Sequence, residues 1–155
     1  MAEIYTKELL AEQEAHTLLS SFTAEDALKL GEAAVATAGK QKDDVVIMVH
    51  KGEHLVFLRA GKNTCYQNHY WATRKHNTVM FHEKSTLRIL AEQGFNEEAY
   101  LSSIGLPLAD YTLAGGGFPV QTSTGNFAGT ITVSGLTMEE DHEVCVKALL
   151  KHKNQ

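Results

Sequence analysis

An α+β fold built on a mainly antiparallel sheet of about five strands is what the 155-residue sequence predicts. Three observations carry that expectation. Apolar spacing passes from helical to alternating and back, in the order helices, hairpin, helices, three-strand meander, helix. Regular alternation of strand with helix is missing, which disfavours a doubly wound parallel sheet. No linker, repeat or low-complexity stretch beyond Gly115 to Gly117 divides the chain, whose only prolines are Pro107 and Pro119, so residues 1–155 are expected to form one domain.

Residues 1–15, rich in Glu, Leu and Ala, favour helix without a sharp apolar stripe; they are expected as a peripheral N-terminal helix that frays or docks on another subunit. Thr23, with Asp26 three positions on, resembles an N-terminal cap. Ala27, Leu30, Gly31, Ala34, Val35 and Ala38 then recur at helical spacing before Gly39, which predicts a helix over 24–38. DDVVIMVH and HLVFLRA, joined by Lys51, Gly52 and Glu53, read as a hairpin, and the apolar run from Val45 to Val49 predicts a strand covered on both faces. His50 and His54 flank that turn and are expected at the surface, within reach of each other. Helical spacing returns from Asn68 to His82 and from Thr86 to Gln93, where Gly94 supplies the stop, and a short turn of helix is expected over Glu97 to Ser103. ADYTLA, FPVQT and FAGTITVSG predict three strands, turning at Gly115 to Gly117 and at Ser123 to Asn126. Thr137 and Glu140 make a capping box for a last helix from Met138 to about Lys151.

Hydrophobic residues form 43% of the chain, enough at this length for a core that needs no metal or disulfide as a staple. The formal charge of −5 argues against nucleic acid and anionic lipid as partners. No apolar run approaches the roughly 20 residues of a membrane span, and the N-terminus is charged throughout, so a cytoplasmic location with no membrane partner is expected. Cys65 and Cys145 have no CxxC companion and read as two free thiols. Neither HExxH nor a three-ligand histidine cluster occurs, and no metal site is expected.

Helical spacing sets Trp71, Arg74, Lys75, Thr78, Val79 and His82 on one face. Two readings stand side by side: basic stems snorkelling out of an apolar contact, or Arg74 and Lys75 holding an anionic group in a cleft, the guanidinium with a two-pronged contact. The triple glycine gives up side-chain packing and backbone entropy that a hairpin turn would not demand, so something approaches that backbone closely. A ligand anion received by amides near Gly116 and Gly117, a neighbouring chain and a merely irregular turn are all open there. In the last helix Asp141, His142, Cys145 and Leu149 follow the inward stripe, and a buried polar pair must be hydrogen-bonded or touch a ligand. A cap or subunit contact and a site role are equally open for it. Ser134 and Ser85 lack a GxSxG elbow and the cysteines lack a protease signature, so nucleophilic catalysis is unsupported; His142, oriented by Asp141, is the candidate acid or base.

Asn68-His69-Tyr70-Trp71 followed by Arg74-Lys75, then Gly116-Gly117-Phe118-Pro119-Val120, then Gly129 through Leu136 with Asp141-His142, together resemble the haem-degrading-domain (HbpS-like) superfamily, in its small, cytosolic UPF branch. The resemblance implies an α+β fold with a five-stranded antiparallel sheet flanked by helices, assembled into higher oligomers. Some relatives bind or degrade haem, and others are attached to protein-targeting machinery. The functional expectation is a cytosolic homo-oligomer that binds a small anionic or planar ligand in a cleft formed by Asn68, Trp71, Arg74, Lys75, Gly116, Gly117, Phe118 and Ser134. Haem is the cofactor implied, with binding through His82, His142 or another exposed histidine expected to be weak or absent. The alternative is a non-catalytic oligomeric scaffold or protein-targeting adaptor.

Overall fold

Alternation along the strands decides how residues 4–155, those described by the computed structural model, are layered. Six α-helices occur among the described residues: α1 (Lys7–His16), α2 (Ala24–Ala38), α3 (Tyr66–His82), α4 (Thr86–Glu92), α5 (Glu97–Ser103) and α6 (Met138–Lys153). The strands β1 (Val46–Lys51), β2 (His54–Ala60), β3 (Gly117–Gln121) and β4 (Phe127–Ser134) form one antiparallel sheet in the order β2-β1-β4-β3. Ile47 and Val49 pair with Val133 and Ile131 and look to one face of it, where α2 and α6 pack. Leu30, Ala34, Phe118 and Leu149 complete that core, each large side chain contributing about 1.5–3 kcal/mol by leaving water. Val46, Met48 and His50 lie opposite Ser134, Thr132 and Thr130 and look to the other face, covered by α3. That second face is a ladder of hydroxyls with a small apolar contact, Ala72 against Val46 and Met48, so α3 sits on polar ground.

Caps fix the helix ends. Thr23 with Asp26 and Thr137 with Glu140 form reciprocal capping boxes at the starts of α2 and α6. Gly94, at φ 65, follows α4 as the sequence suggests. A satellite core joins Leu10 of α1 to Leu87, Ile89 and Leu90 of α4, Leu101 of α5 and Leu113. The carboxylate of Glu14 accepts from the Ser85 amide and from Arg88, fastening α1 to its own chain. No helix among the described residues is long and apolar enough to cross a membrane.

The sheet has four strands, one fewer than expected, because 109–114 is not a strand. Side chains of the helices take its backbone groups before a ladder can. The Thr112 amide donates to Thr78, the Leu113 amide to Glu97 and the Ala114 amide to Thr112 Oγ1, while the Tyr111 carbonyl accepts from Arg74. Of the expected three-strand meander, the hairpin joining β3 to β4 remains. Pro119 is accommodated because β3 is an edge strand. His50 and His54 do not meet across their turn: unbroken alternation along β1, in register with β4, puts His50 in phase with Val46 and Met48 and inward under α3, while a bulge on β2 sets it opposite Leu55.

Candidate functional site

The wide face of α3 carries its cations in two directions. Lys75, 3% exposed, reaches the start of α6, where Nζ donates to Asp141 Oδ2 at 3.1 Å and to the Val133 carbonyl at 2.9 Å. Asp141 also accepts from the Leu136 amide at 3.0 Å and the Gly135 amide at 3.4 Å. Burial pushes the ammonium pKa down and the carboxyl pKa up, while their mutual attraction opposes both shifts. Every hydrogen bond Asp141 makes therefore favours its ionised form.

The glycine run exists for this pair. A Cβ on Gly116, whose φ is 122°, would lie 2.4 Å from the Val133 carbonyl oxygen, 2.7 Å from Lys75 Nζ and 2.9 Å from Asp141 Cβ. A Cβ on Gly115 would lie 2.4 Å from the Met138 carbonyl oxygen. What approaches the backbone is the protein's own α3, β4 and α6. The Gly117 amide is taken by Thr86 Oγ1 at 3.1 Å, so it is not a free donor for a ligand.

Arg74 turns the other way and lies 4.2 Å above the centroid of the Trp71 ring and 5.6 Å from that of Tyr70. It is 9% exposed, one terminal nitrogen donates to the Tyr111 carbonyl at 3.1 Å, and its Nε has no partner among the described residues. Among those residues no carboxylate pairs with it, because Asp141 serves Lys75 alone.

A cleft of about 330 Å³ opens over the ion pair, lined by Asn68, Trp71, Lys75, Ser134, Met138 and Asp141 among others. Five of the residues singled out from the sequence therefore converge from α3, the end of β4 and the start of α6. Five do not line it: Arg74 stands behind Trp71, and Gly116, Gly117, Phe118 and His142 are covered. Phe118 packs with its ring 5.6 Å from His142 on the opposite face of the sheet. His142 is wholly buried and separate from Asp141: Nε2 meets Gln13 Oε1 at 2.7 Å, the Tyr5 ring sits edge-on at 5.8 Å, and burial lowers its pKa to about 4. Consecutive residues of a helix diverge by about 100°, which is why Asp141 cannot orient His142. His82 is engaged by the Thr78 carbonyl and the Tyr100 hydroxyl.

Sequence reasoning missed His76. It stacks on His50 with ring centroids 3.6 Å apart, and its Nδ1 lies 2.7 Å from Thr130 Oγ1. The available signal was its place four residues beyond Ala72 on the sheet-facing side of α3.

This fold and cleft have relatives. The sequence profile of the family described as haem degrading protein HbpS-like matches residues 22–150. This chain belongs to the HbpS-like family. The UPF0303 protein of Brucella canis is 34% identical over 143 residues, covering 92% of this chain and 85% of its own. Among solved structures, the Ybr137w protein superposes with a TM-score of 0.88 at 24% identity, over 98% of this chain and 90% of that one. HbpS superposes with a TM-score of 0.68 at 22% identity, over 84% and 89% of the two chains. A PduOC complex described with haem gives 0.68 at 19% identity, over 84% and 94%. The HbpS-like fold of this chain thus brings a neutralised ion pair, an indole face and two short polar side chains, Asn68 and Ser134, to one opening, which suits a flat ligand with polar edges.

Proposed function

We propose that this HbpS-like protein is a cytosolic homo-oligomer that binds a small planar ligand bearing an anionic group in the Trp71 cleft. The observation that carries this reading is the convergence of Asn68, Trp71, Lys75, Ser134 and Asp141 on one opening backed by a guanidinium with no carboxylate partner among the described residues. Trp71 offers the stacking surface, and Arg74 behind it supplies the positive charge that Lys75, already paired, does not. Haem itself does not fit this cleft: no imidazole or thiolate lines it, and the amine of Lys75 and carboxylate of Asp141 are committed to each other. Acid–base work by His142 has no route to the ligand, since that ring is sealed against Gln13.

Trp71 is the single tryptophan, so its fluorescence reports on the cleft alone. Titration with benzoate is expected to quench it saturably, whereas neutral benzyl alcohol does so far more weakly. Arg74→Gln is expected to weaken benzoate binding by roughly three- to tenfold, since the guanidinium acts on the carboxylate through space from behind the indole rather than through a hydrogen bond. Equal responses to the two probes, or none to either, would remove the anion-binding reading. The exposed Leu55, Leu58 and Tyr66 favour a second reading, an assembly scaffold without a small ligand.

A further inference from the structure

A second cavity, of about 500 Å³, is lined by Glu53, His76, Asn77, Met80, Phe81 and Tyr111. It shares no lining residue with the Trp71 cleft. Phe81 is 56% exposed, and its ring stands at 79° to that of Tyr111 with centroids 6.2 Å apart, so the two make an aromatic corner to which Met80 adds a thioether. Acceptors dominate the polar lining. Asn77 Nδ2 donates to the Asp110 carbonyl at 2.9 Å, which leaves Oδ1 as the open atom of that amide. His76 is held from two sides, by the His50 ring stacked on it at 3.6 Å and by Thr130 Oγ1 at 2.7 Å from Nδ1. With Nδ1–H donating to Thr130, Nε2 keeps a lone pair, and it makes no hydrogen bond among the described residues. Glu53, exposed in the β1–β2 turn, forms no ion pair among those residues. No lysine or arginine lines the cavity.

A lining of acceptors with one carboxylate, no cation and an aromatic corner is complementary to an organic cation. The carboxylate supplies the countercharge, the ring faces attract positive charge, and every N–H of an ammonium group needs an acceptor once water leaves it. Neutral histidines keep the cavity open to such a charge. Burial, helped at His76 by the neighbouring His50, lowers the pKa of both rings to about 4, so near neutral pH neither repels a cation. An anion meets the reverse, because Glu53 repels it and no positive side chain answers. We propose that this cavity binds an aryl-alkyl primary ammonium ion, whose N–H groups donate to Glu53, Asn77 Oδ1 and His76 Nε2 while its aromatic body rests against Met80, Phe81 and Tyr111. The site is separate from the Trp71 cleft and opposite to it in charge preference. Thr130 and His50 act at one remove: Thr130 sets the tautomer that gives Nε2 its lone pair, and His50 backs the ring.

Isothermal titration calorimetry of the full chain near neutral pH with phenethylammonium tests this, with phenethyl alcohol and hydrocinnamate as the neutral and anionic counterparts. The wild type is expected to bind phenethylammonium saturably at one per chain, the alcohol far more weakly and hydrocinnamate not at all. Glu53→Gln and Phe81→Ala are each expected to weaken binding by roughly two- to fivefold, the range of an exposed ion pair and of an exposed cation–π contact. Both side chains are exposed, so neither change threatens the fold. Trimethylating the probe's nitrogen keeps its charge but removes its donors, and is expected to weaken binding to the wild type as well. Saturating benzoate is expected to leave phenethylammonium binding unchanged, so this site stands or falls apart from the Trp71 cleft. No saturable binding in the wild type, equal binding of the alcohol or of the trimethylated probe, unchanged affinity in either variant, or displacement by benzoate would overturn the proposal.

Discussion

Lys75 and Asp141 are each 3% exposed on their side chains, and at that depth a charge is tolerable only beside its opposite. Lys75→Met leaves the Asp141 carboxylate buried without its countercharge and is expected to cost about 3–5 kcal/mol in urea denaturation. Lys75→Met combined with Asp141→Leu removes both charges and is expected to recover most of that loss, since replacing a buried pair with apolar groups is often neutral or better. Gly116→Ala, which drives a Cβ against Lys75 Nζ and the Val133 carbonyl at a positive φ, is expected to destabilise as severely as the lysine change. The sequence already showed two cations on one helical stripe and one inward carboxylate to answer them. It did not show which cation the carboxylate would choose, because α3 is wide enough for Arg74 and Lys75, neighbours in sequence, to point about 100° apart. His76 was hidden by the same geometry, since it lies one further step round the helix, facing a hydroxyl ladder that only the register of β1 against β4 creates.

Where α1, β3 and α6 meet, His142 is enclosed by the Tyr5 and Phe118 rings, with Gln13 its one side-chain hydrogen-bond partner among the described residues. Its pKa falls from 6.5 to about 4 on folding. The unfolded chain therefore takes up the proton first as pH drops, so the stabilisation is complete above about pH 6.5 and fades on the way down to about 4, amounting to on the order of 3 kcal/mol. Thermal melts at pH 7.5, 5.5 and 4.5 are expected to fall more steeply for the wild type than for His142→Asn, which cannot gain this charge. Elements with local signals were readable in advance: capping residues mark α2 and α6, and alternation marks β1, β2, β3 and β4. Segment 109–114 misled because its Tyr, Thr and Leu favour a strand, and only tertiary partners, Thr78, Arg74 and Glu97, divert its backbone. The resemblance places Phe118 in the cleft and the glycine turn offers the Gly117 amide to it, yet Phe118 alternates to the α2–α6 face and the Gly117 amide is tied to Thr86.

At the scale of the whole molecule, the sheet is covered unevenly. α3 lies over β4, β3 and β1, and leaves β2 at the edge. Leu58, opposite Met48 and so on the α3 side, is 43% exposed, and Leu55 on the same strand is similarly open. An edge strand that carries exposed leucines is a hazard for a monomer unless another surface covers it. Tyr66 at the start of α3 and Phe81 near its end add exposed aromatic area. Homo-oligomerisation is the economical cover, because a second copy brings a matching apolar surface at no cost in new sequence. Light scattering at micromolar concentration is expected to give a mass well above the 17.0 kDa of one chain. Leu58→Lys is expected to lower that mass while changing monomer stability by no more than about 0.5 kcal/mol, since the side chain is already exposed. A wild-type chain that scatters as a monomer would refute the homo-oligomer outright, whereas an unchanged mass for Leu58→Lys would move the interface away from β2.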